Sequence, residues 1–271
     1  MRRALRLAGV AAHLAAGCAL SALAYPLLPR AAHRALRAAW ARGLLALLGV
    51  RVRAALRPIG PGSLLVANHV SWLDAVVLHA LAECAVVAKA EARRWPLLGA
   101  LLARNETVFV ERRPARSLLA VNAAIAARLA RGECVAVFPE GTTSDGAKVR
   151  PFRPALFEPA VRGAHPVHAL ALEYRDADGR RCLAAAYIDD MTLWESLCEI
   201  AALPGLDAEI SSCDVLSTAG LGRRDAARLG HATIQARVEG AALAARHAQH
   251  ARDLAHGGHR ALELREVGDL K

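Results

Sequence analysis

Apolar positions along the chain follow two regimes, and the change comes near residue 50. Before it, the pattern is helical and long. From Leu7 to Leu28, "LAGVAAHLAAGCALSALAYPLL", no charged residue occurs in 22 positions, enough for a bilayer core at ~20 residues per span. The run is weakly apolar, mostly Ala and Gly, and His13 interrupts it. The basic start "MRRALR" with "ALA" at 22–24 also fits a cleaved signal, and a helix lying in the membrane interface fits too. The next segment places Arg30, Arg34, Arg37 and Trp40 at helical spacing among Ala and Leu, as in a basic amphipathic helix on a membrane surface. An uncleaved, membrane-anchoring helical pair over residues 1–49 is the favoured expectation.

After residue 50, short apolar runs alternate with helix-length segments. "VRVRAAL", "SLLVA", "CAVVAKA", "TVFVE", "ECVAVF", "HPVHALALEY", "RRCLAAAYID" and "LDAEISSCDVL" read as strands. Between them "SWLDAVVLHALA", "ARSLLAVNAAIAARLARG", "RPALFEPAVRG" and "LWESLCEIAA" read as helices, "RRWPLLGALLARN" as a helix or helical loop, and residues 223–248 as a long Ala-rich helix. Strands alternating with helices predict an α/β fold with a largely parallel central sheet. One such domain is expected over 50–240, followed by a helical or frayed tail over 241–271.

Composition narrows the setting. The 271 residues suffice for a full core, and 55% of them are hydrophobic. Mean hydropathy of +0.25 is high for a soluble enzyme, so part of the apolar surface is expected to meet lipid. A net charge of +10 attracts polyanions: nucleic acid, anionic headgroups or phosphorylated substrates. The chain lacks an aromatic-studded basic strand or a recognition helix, which argues against nucleic acid. The six cysteines are scattered singly, without metal-finger or CxxC spacing, and read as reduced thiols. No metal or cofactor is expected.

Candidate chemistry lies where strands end. "LLVANHVSWLDAVVLHAL" at 64–81 hands a strand over to a helix. Ser71 and Asp74 form an S-x-x-D capping-box pattern, with Ser71 as N-cap and Asp74 in the first turn, near the positive end of the helix dipole. His69 then sits on the turn within reach of Asp74, which would fix its tautomer and leave the other nitrogen free to accept a proton. An ordinary helix cap beside a loop histidine accounts for the same residues. Two further strand ends add context. "AVFPEGTTSDG" brings Phe138, Pro139 and Glu140 to the end of a buried strand, then Gly141, Thr142, Thr143 and Ser144, the position at which open α/β sheets bind ligands. "TVFVERR" ends in Glu111, Arg112 and Arg113, and arginine there can fork onto phosphate or carboxylate. Lys148, Arg150 and Arg153 flank the second loop.

Together these stretches resemble the glycerolipid acyltransferases of the lysophosphatidic acid (1-acylglycerol-3-phosphate) acyltransferase family. Its first motif, N-H-x-S-x-x-D, is matched by Asn68, His69, Ser71 and Asp74. The second, an arginine after an apolar strand, is matched at Arg112. The third, F-P-E-G-T-x-S, is matched from Phe138 to Ser144, and the fourth, an apolar run around a proline, at Pro166. Where the family has a glycine after "PF", this chain has Ala155. That departure, with "VAKAEARRWPLLG", resembles a bacterial subgroup containing lyso-ornithine lipid acyltransferases.

The resemblance implies a glycerolipid-acyltransferase-like fold and an O-acyltransferase without cofactor. His69 would be the general base, oriented by Asp74. Arg112, Glu140, Gly141, Thr142 and Thr143 would bind the acceptor, supported by Asn68, Ser71, Phe138, Pro139 and Pro166. Backbone N–H groups near Ser71 would offer an oxyanion site. The implied donor is acyl-CoA or acyl-carrier protein. The implied acceptor is a membrane lysolipid, foremost 1-acyl-sn-glycerol-3-phosphate with lyso-ornithine lipid as the alternative. An anionic membrane surface is the implied partner. The implied location is the inner membrane of a bacterium, with the catalytic domain facing the cytoplasm. A non-enzymatic basic membrane-binding protein is the remote rival. A serine hydrolase is disfavoured because no G-x-S-x-G elbow occurs.

Overall fold

The computed structural model describes residues 1–95, 97–104, 107–110 and 115–243. Two helices open the chain, α1 (Arg2–Leu23) and α2 (Arg30–Leu48). Seven strands follow: β1 (Val50–Ala55), β2 (Leu64–Ala67), β3 (Cys84–Lys89), β4 (Val108–Val110), β5 (Cys134–Val137), β6 (Val167–Arg175) and β7 (Leu206–Leu216). The helices between them are α3 (Leu73–Leu81), α4 (Leu98–Arg104), α5 (Ala115–Ala130), α6 (Glu158–Arg162) and α7 (Leu193–Ala202). The final helix, α8, occupies 223–243 of the described residues.

The strands form one sheet ordered β1-β7-β6-β2-β5-β3-β4. Every pairing is parallel except β6 with β7, so β1 and β7 run against the other five. The largely parallel sheet predicted from alternation is therefore present, with one reversed edge pair. Side chains alternate across it, as period-2 geometry demands. On β2, Leu65 and Ala67 face a core shared with α2 and α3, while Leu64 and Val66 face a second core shared with α5 and α8. Both faces are covered, which is why the central strands are apolar throughout.

One expected strand is absent. "RRCLAAAYID" forms a 3-10 turn at Leu183–Ala185, and only an isolated bridge joins Arg181 to Arg175. β6, the strand this segment follows, is already flanked by β2 and β7, so β6 itself offers no free edge for it to pair along.

The N-terminal helices pack against the domain along one side. Arg6 donates to the carbonyls of Ala201 (3.3 Å) and Leu203 (2.7 Å), satisfying the end of α7. His13 stacks on Trp40 and bonds its carbonyl at 2.9 Å, so the residue that interrupts the apolar run faces α2. The other side of α1 is apolar and open, with Leu5 67% and Leu23 74% exposed. The helical run Arg2–Leu27 is long and apolar enough to cross a membrane. The reading of α2 as a surface amphipathic helix is corrected by its packing. Arg37 is buried and Trp40 half-buried, because α2 lies across α3, where Arg42 also donates to the Ala80 carbonyl at 3.1 Å.

Candidate active site

The site gathers at the carboxyl ends of β2 and β5. Beyond Ala67, the Asn68 side chain takes over from the strand ladder. Its Nδ2 donates to the Leu172 carbonyl at 2.8 Å, and its Oδ1 accepts from the Leu172 N–H at 2.7 Å. This two-way amide bond pins the end of β2 to β6 while the backbone turns away. The turn carries His69, Val70 and Ser71 into α3.

Asp74 is fully buried at the start of α3. Its Oδ2 accepts from His69 Nδ1 (2.7 Å), Val70 N (2.8 Å) and Ser71 N (3.0 Å), and its Oδ1 accepts from the Tyr174 hydroxyl (2.7 Å). A carboxylate surrounded by donors must meet the imidazole as an acceptor, so His69 Nδ1 carries the proton and Nε2 holds the lone pair. The His69 ring stacks on Phe138, centroids 4.1 Å apart, which fixes its plane.

The capping-box reading needs correcting in one half. The N-cap is Trp72, with no side-chain bond, and the Ser71 hydroxyl is buried without a partner. Only the return bond, Ser71 N–H to Asp74, forms. The physical reason is that Asp74 turns back over the loop to hold His69, so the chain tightens one residue later than a serine cap would place it. The same bonds occupy the Val70 and Ser71 N–H groups, so these two donors are not available as an oxyanion site.

Glu140 also differs from expectation. The residue is 5% exposed, and its carboxylate accepts from His69 N at 2.6 Å and Arg150 N at 2.8 Å. It joins the two loops from beneath rather than facing the cavity. Burial pushes its pKa up, against the two backbone bonds that pull it down. Gly141 adopts a left-handed φ of 71°, which favours glycine, and a Cβ there would stand 2.6 Å from the Arg153 guanidinium carbon, so the Arg153 side chain would have to move. Thr143 donates to the Tyr187 carbonyl, and Ser144 N–H donates to the His69 carbonyl at 2.9 Å.

His69, Phe138, Gly141, Thr142 and Thr143 line one cavity of about 1120 Å³, above the ~300–1,000 Å³ usual for small-molecule pockets. Arg150 and Arg153 border it near His69. Apolar side chains of α2, α3 and β3, among them Leu36, Trp40, Val76 and Val86, extend it toward α1. Pro139 contributes only a carbonyl, to Arg153 N at 3.0 Å. Pro166 is not at the site: its carbonyl accepts from Leu64 N, at the opposite end of β2, some five residues from His69 at ~3.3 Å each. Arg112 lies outside the described residues. Among the described residues no His, Cys, Asp and Glu cluster suits a metal.

Tyr174 escaped the sequence reading. It closes β6 with its hydroxyl on Asp74, fully buried, its pKa pushed well up by burial and then by the Asp74 charge. An available clue was its place at the end of "HALALEY", in register two residues beyond the Asn68–Leu172 tie.

The family profile described as "Acyltransferase" matches residues 50–173. A lyso-ornithine lipid O-acyltransferase of Pseudomonas aeruginosa is 34% identical over 203 residues, covering 75% of this chain and 78% of that protein. The chain belongs to the acyltransferase family. A 1-acyl-sn-glycerol-3-phosphate acyltransferase of Neisseria meningitidis is 39% identical over 150 residues, 55% of this chain and 59% of that protein. The chain thus spans about six-tenths of that relative's length. In fold the acyltransferase resembles the crystal structure of the 1-acyl-sn-glycerophosphate acyltransferase from Thermotoga maritima. The TM-score is 0.62 at 18% identity, over 88% of this chain and 97% of that one.

Proposed function

We propose that the protein is an O-acyltransferase that moves a fatty acyl group from acyl-CoA or acyl-carrier protein to the free hydroxyl of a lysolipid. The observation that carries this reading is an oriented His69–Asp74 pair on the wall of a long, mostly apolar cavity. His69 Nε2 takes the proton of the acceptor hydroxyl as its oxygen attacks the thioester carbonyl. The C–O bond forms, the C–S bond breaks, and the thiolate leaves with the proton returned from the imidazolium. Asp74 stabilises that transient charge, and the reaction requires no acyl-enzyme. The apolar cavity suits an acyl chain, and the exposed leucines of α1 suit a membrane that holds the acceptor, here the bacterial inner membrane with the catalytic domain on its cytoplasmic side.

The acceptor proposed first is 1-acyl-sn-glycerol-3-phosphate, which would yield phosphatidic acid. Arg150 and Arg153 on the cavity wall suit its phosphate, and Arg112 is assigned the same role from its motif. Lyso-ornithine lipid is the second reading. It is supported by the Pseudomonas relative, matched over three quarters of this chain, and by the carboxylates Glu91 and Asp189, which line the same cavity and suit an ammonium. Purified protein in mixed micelles, given a labelled acyl thioester and each lysolipid separately, tests both. His69→Ala should lower turnover by about 10²–10⁴-fold without loss of folding; wild-type-like rates in that variant would sink the reaction as drawn.

A further inference from the structure

His79 and Arg37 are among the polar side chains that line the cavity without a part in the chemistry above. His79, on the cavity side of α3, is 7% exposed, and neither ring nitrogen meets a hydrogen-bond partner. It lies seven residues beyond Trp72, about 10 Å further along the helix at ~1.5 Å per residue. Arg37 of α2 lines the same stretch and is 6% exposed. Burial, with Arg37 adding to it, holds the imidazole pKa down to about 3, so the ring is neutral at physiological pH. A neutral imidazole presents one donor and one acceptor. Leaving both unmade in a buried site is costly, and natural proteins rarely do so.

Resting on the acyltransferase reading, we propose that His79, with Arg37 beside it, forms a polar subsite that selects an acyl chain bearing a hydroxyl within its hydrocarbon. A hydroxyl both donates and accepts, which matches the two faces of the neutral ring. It is also far easier to bury than a carboxylate. Leu101 and Val86 are among the apolar side chains that line the chamber, so the gain depends on whether the hydroxyl's position along the chain brings it to His79. The chain carrying it belongs either to the thioester donor or to the lysolipid acceptor. The subsite therefore reads substrate identity at a distance from the reacting atoms.

The test uses unreactive probes first. Methyl esters of C16 acids, plain or hydroxylated at successive positions, are titrated onto the full-length protein and followed by fluorescence of Trp40, Trp72 and Trp95, which line the cavity. One hydroxyl position should bind roughly tenfold to a hundredfold tighter than the plain ester. His79→Leu should bring that ratio close to one with no loss of thermal stability, and His79→Gln should keep part of it. His79→Met serves if the leucine variant does not fold. Rate measurements then use two arms, hydroxyacyl thioester with plain lysolipid and plain thioester with hydroxylated lysolipid. The arm showing the preference in kcat/KM identifies which chain is read. Equal binding of all esters by the wild type, or a preference that survives in His79→Leu, overturns the subsite. If no lysolipid is acylated but the ester preference appears and depends on His79, the reaction reading fails and the subsite stands.

Discussion

Replacing Asp74 with asparagine isolates the charge that the site places behind His69. The carboxylate has four hydrogen-bond donors around it, three on Oδ2 and the Tyr174 hydroxyl on Oδ1. An asparagine can keep its oxygen toward His69, Val70 and Ser71 and turn its amide toward Tyr174, whose hydroxyl rotates to accept. The fold and the tautomer of His69 therefore survive, and only the negative charge is lost. In the transition state His69 carries a positive charge, its Nδ1 2.7 Å from Asp74 Oδ2, which sets the two charge centres roughly 4 Å apart. At an effective dielectric of ~20 this attraction is worth about 4 kcal/mol, or roughly three orders of magnitude in rate at ~1.36 kcal/mol per decade. The assay is the initial rate of labelled acyl transfer to lysolipid in mixed micelles, with a thermal unfolding curve on the same preparation. Asp74→Asn should lower kcat about 10³-fold and leave KM for both substrates nearly unchanged. A folded variant losing less than about tenfold would refute the assignment of Asp74 as the partner that charges and aims the base.

Two further outcomes follow from the same contacts. Tyr174→Phe leaves Asp74 Oδ1 buried without its hydroxyl donor, so chemical denaturation should show a loss of about 1–3 kcal/mol, accompanied by a smaller fall in kcat than Asp74→Asn produces. Glu140 gives a pH signature: its pKa is raised in the folded state by burial, so the stability it contributes is present below its ordinary value of 4.5 and is lost as pH rises through the higher folded value. The difference in unfolding free energy between wild type and Glu140→Gln should therefore change with pH above about 4.5 in that direction, and a flat difference from pH 4 to 7 would contradict the buried placement of this carboxylate.

The His69–Asp74 pair is legible in the sequence because its residues are close together in the chain. Asn68, His69, Ser71 and Asp74 fit within one strand–turn–helix unit, and local geometry alone brings a carboxylate at the helix start within reach of a histidine two residues before the turn tightens. The alternation of short and long apolar segments likewise fixed an α/β architecture, since a sheet covered on both faces leaves little room for polar positions. Three features depended instead on contacts between distant segments. Tyr174 reaches Asp74 only because β6 runs parallel beside β2, across 100 positions of sequence. Glu140 does not line the cavity, because the His69 and Arg150 N–H groups meet its two oxygens, a competition that no motif spacing reveals. Arg37, expected at a membrane surface by its helical spacing, is buried because α2 lies on α3. There it shares a cavity wall with His79. Sequence therefore determined which residues can do the chemistry, being a matter of residue type and local turn. Tertiary packing decided which of them line the cavity, because burial is settled by what lies on the other side of each helix and strand.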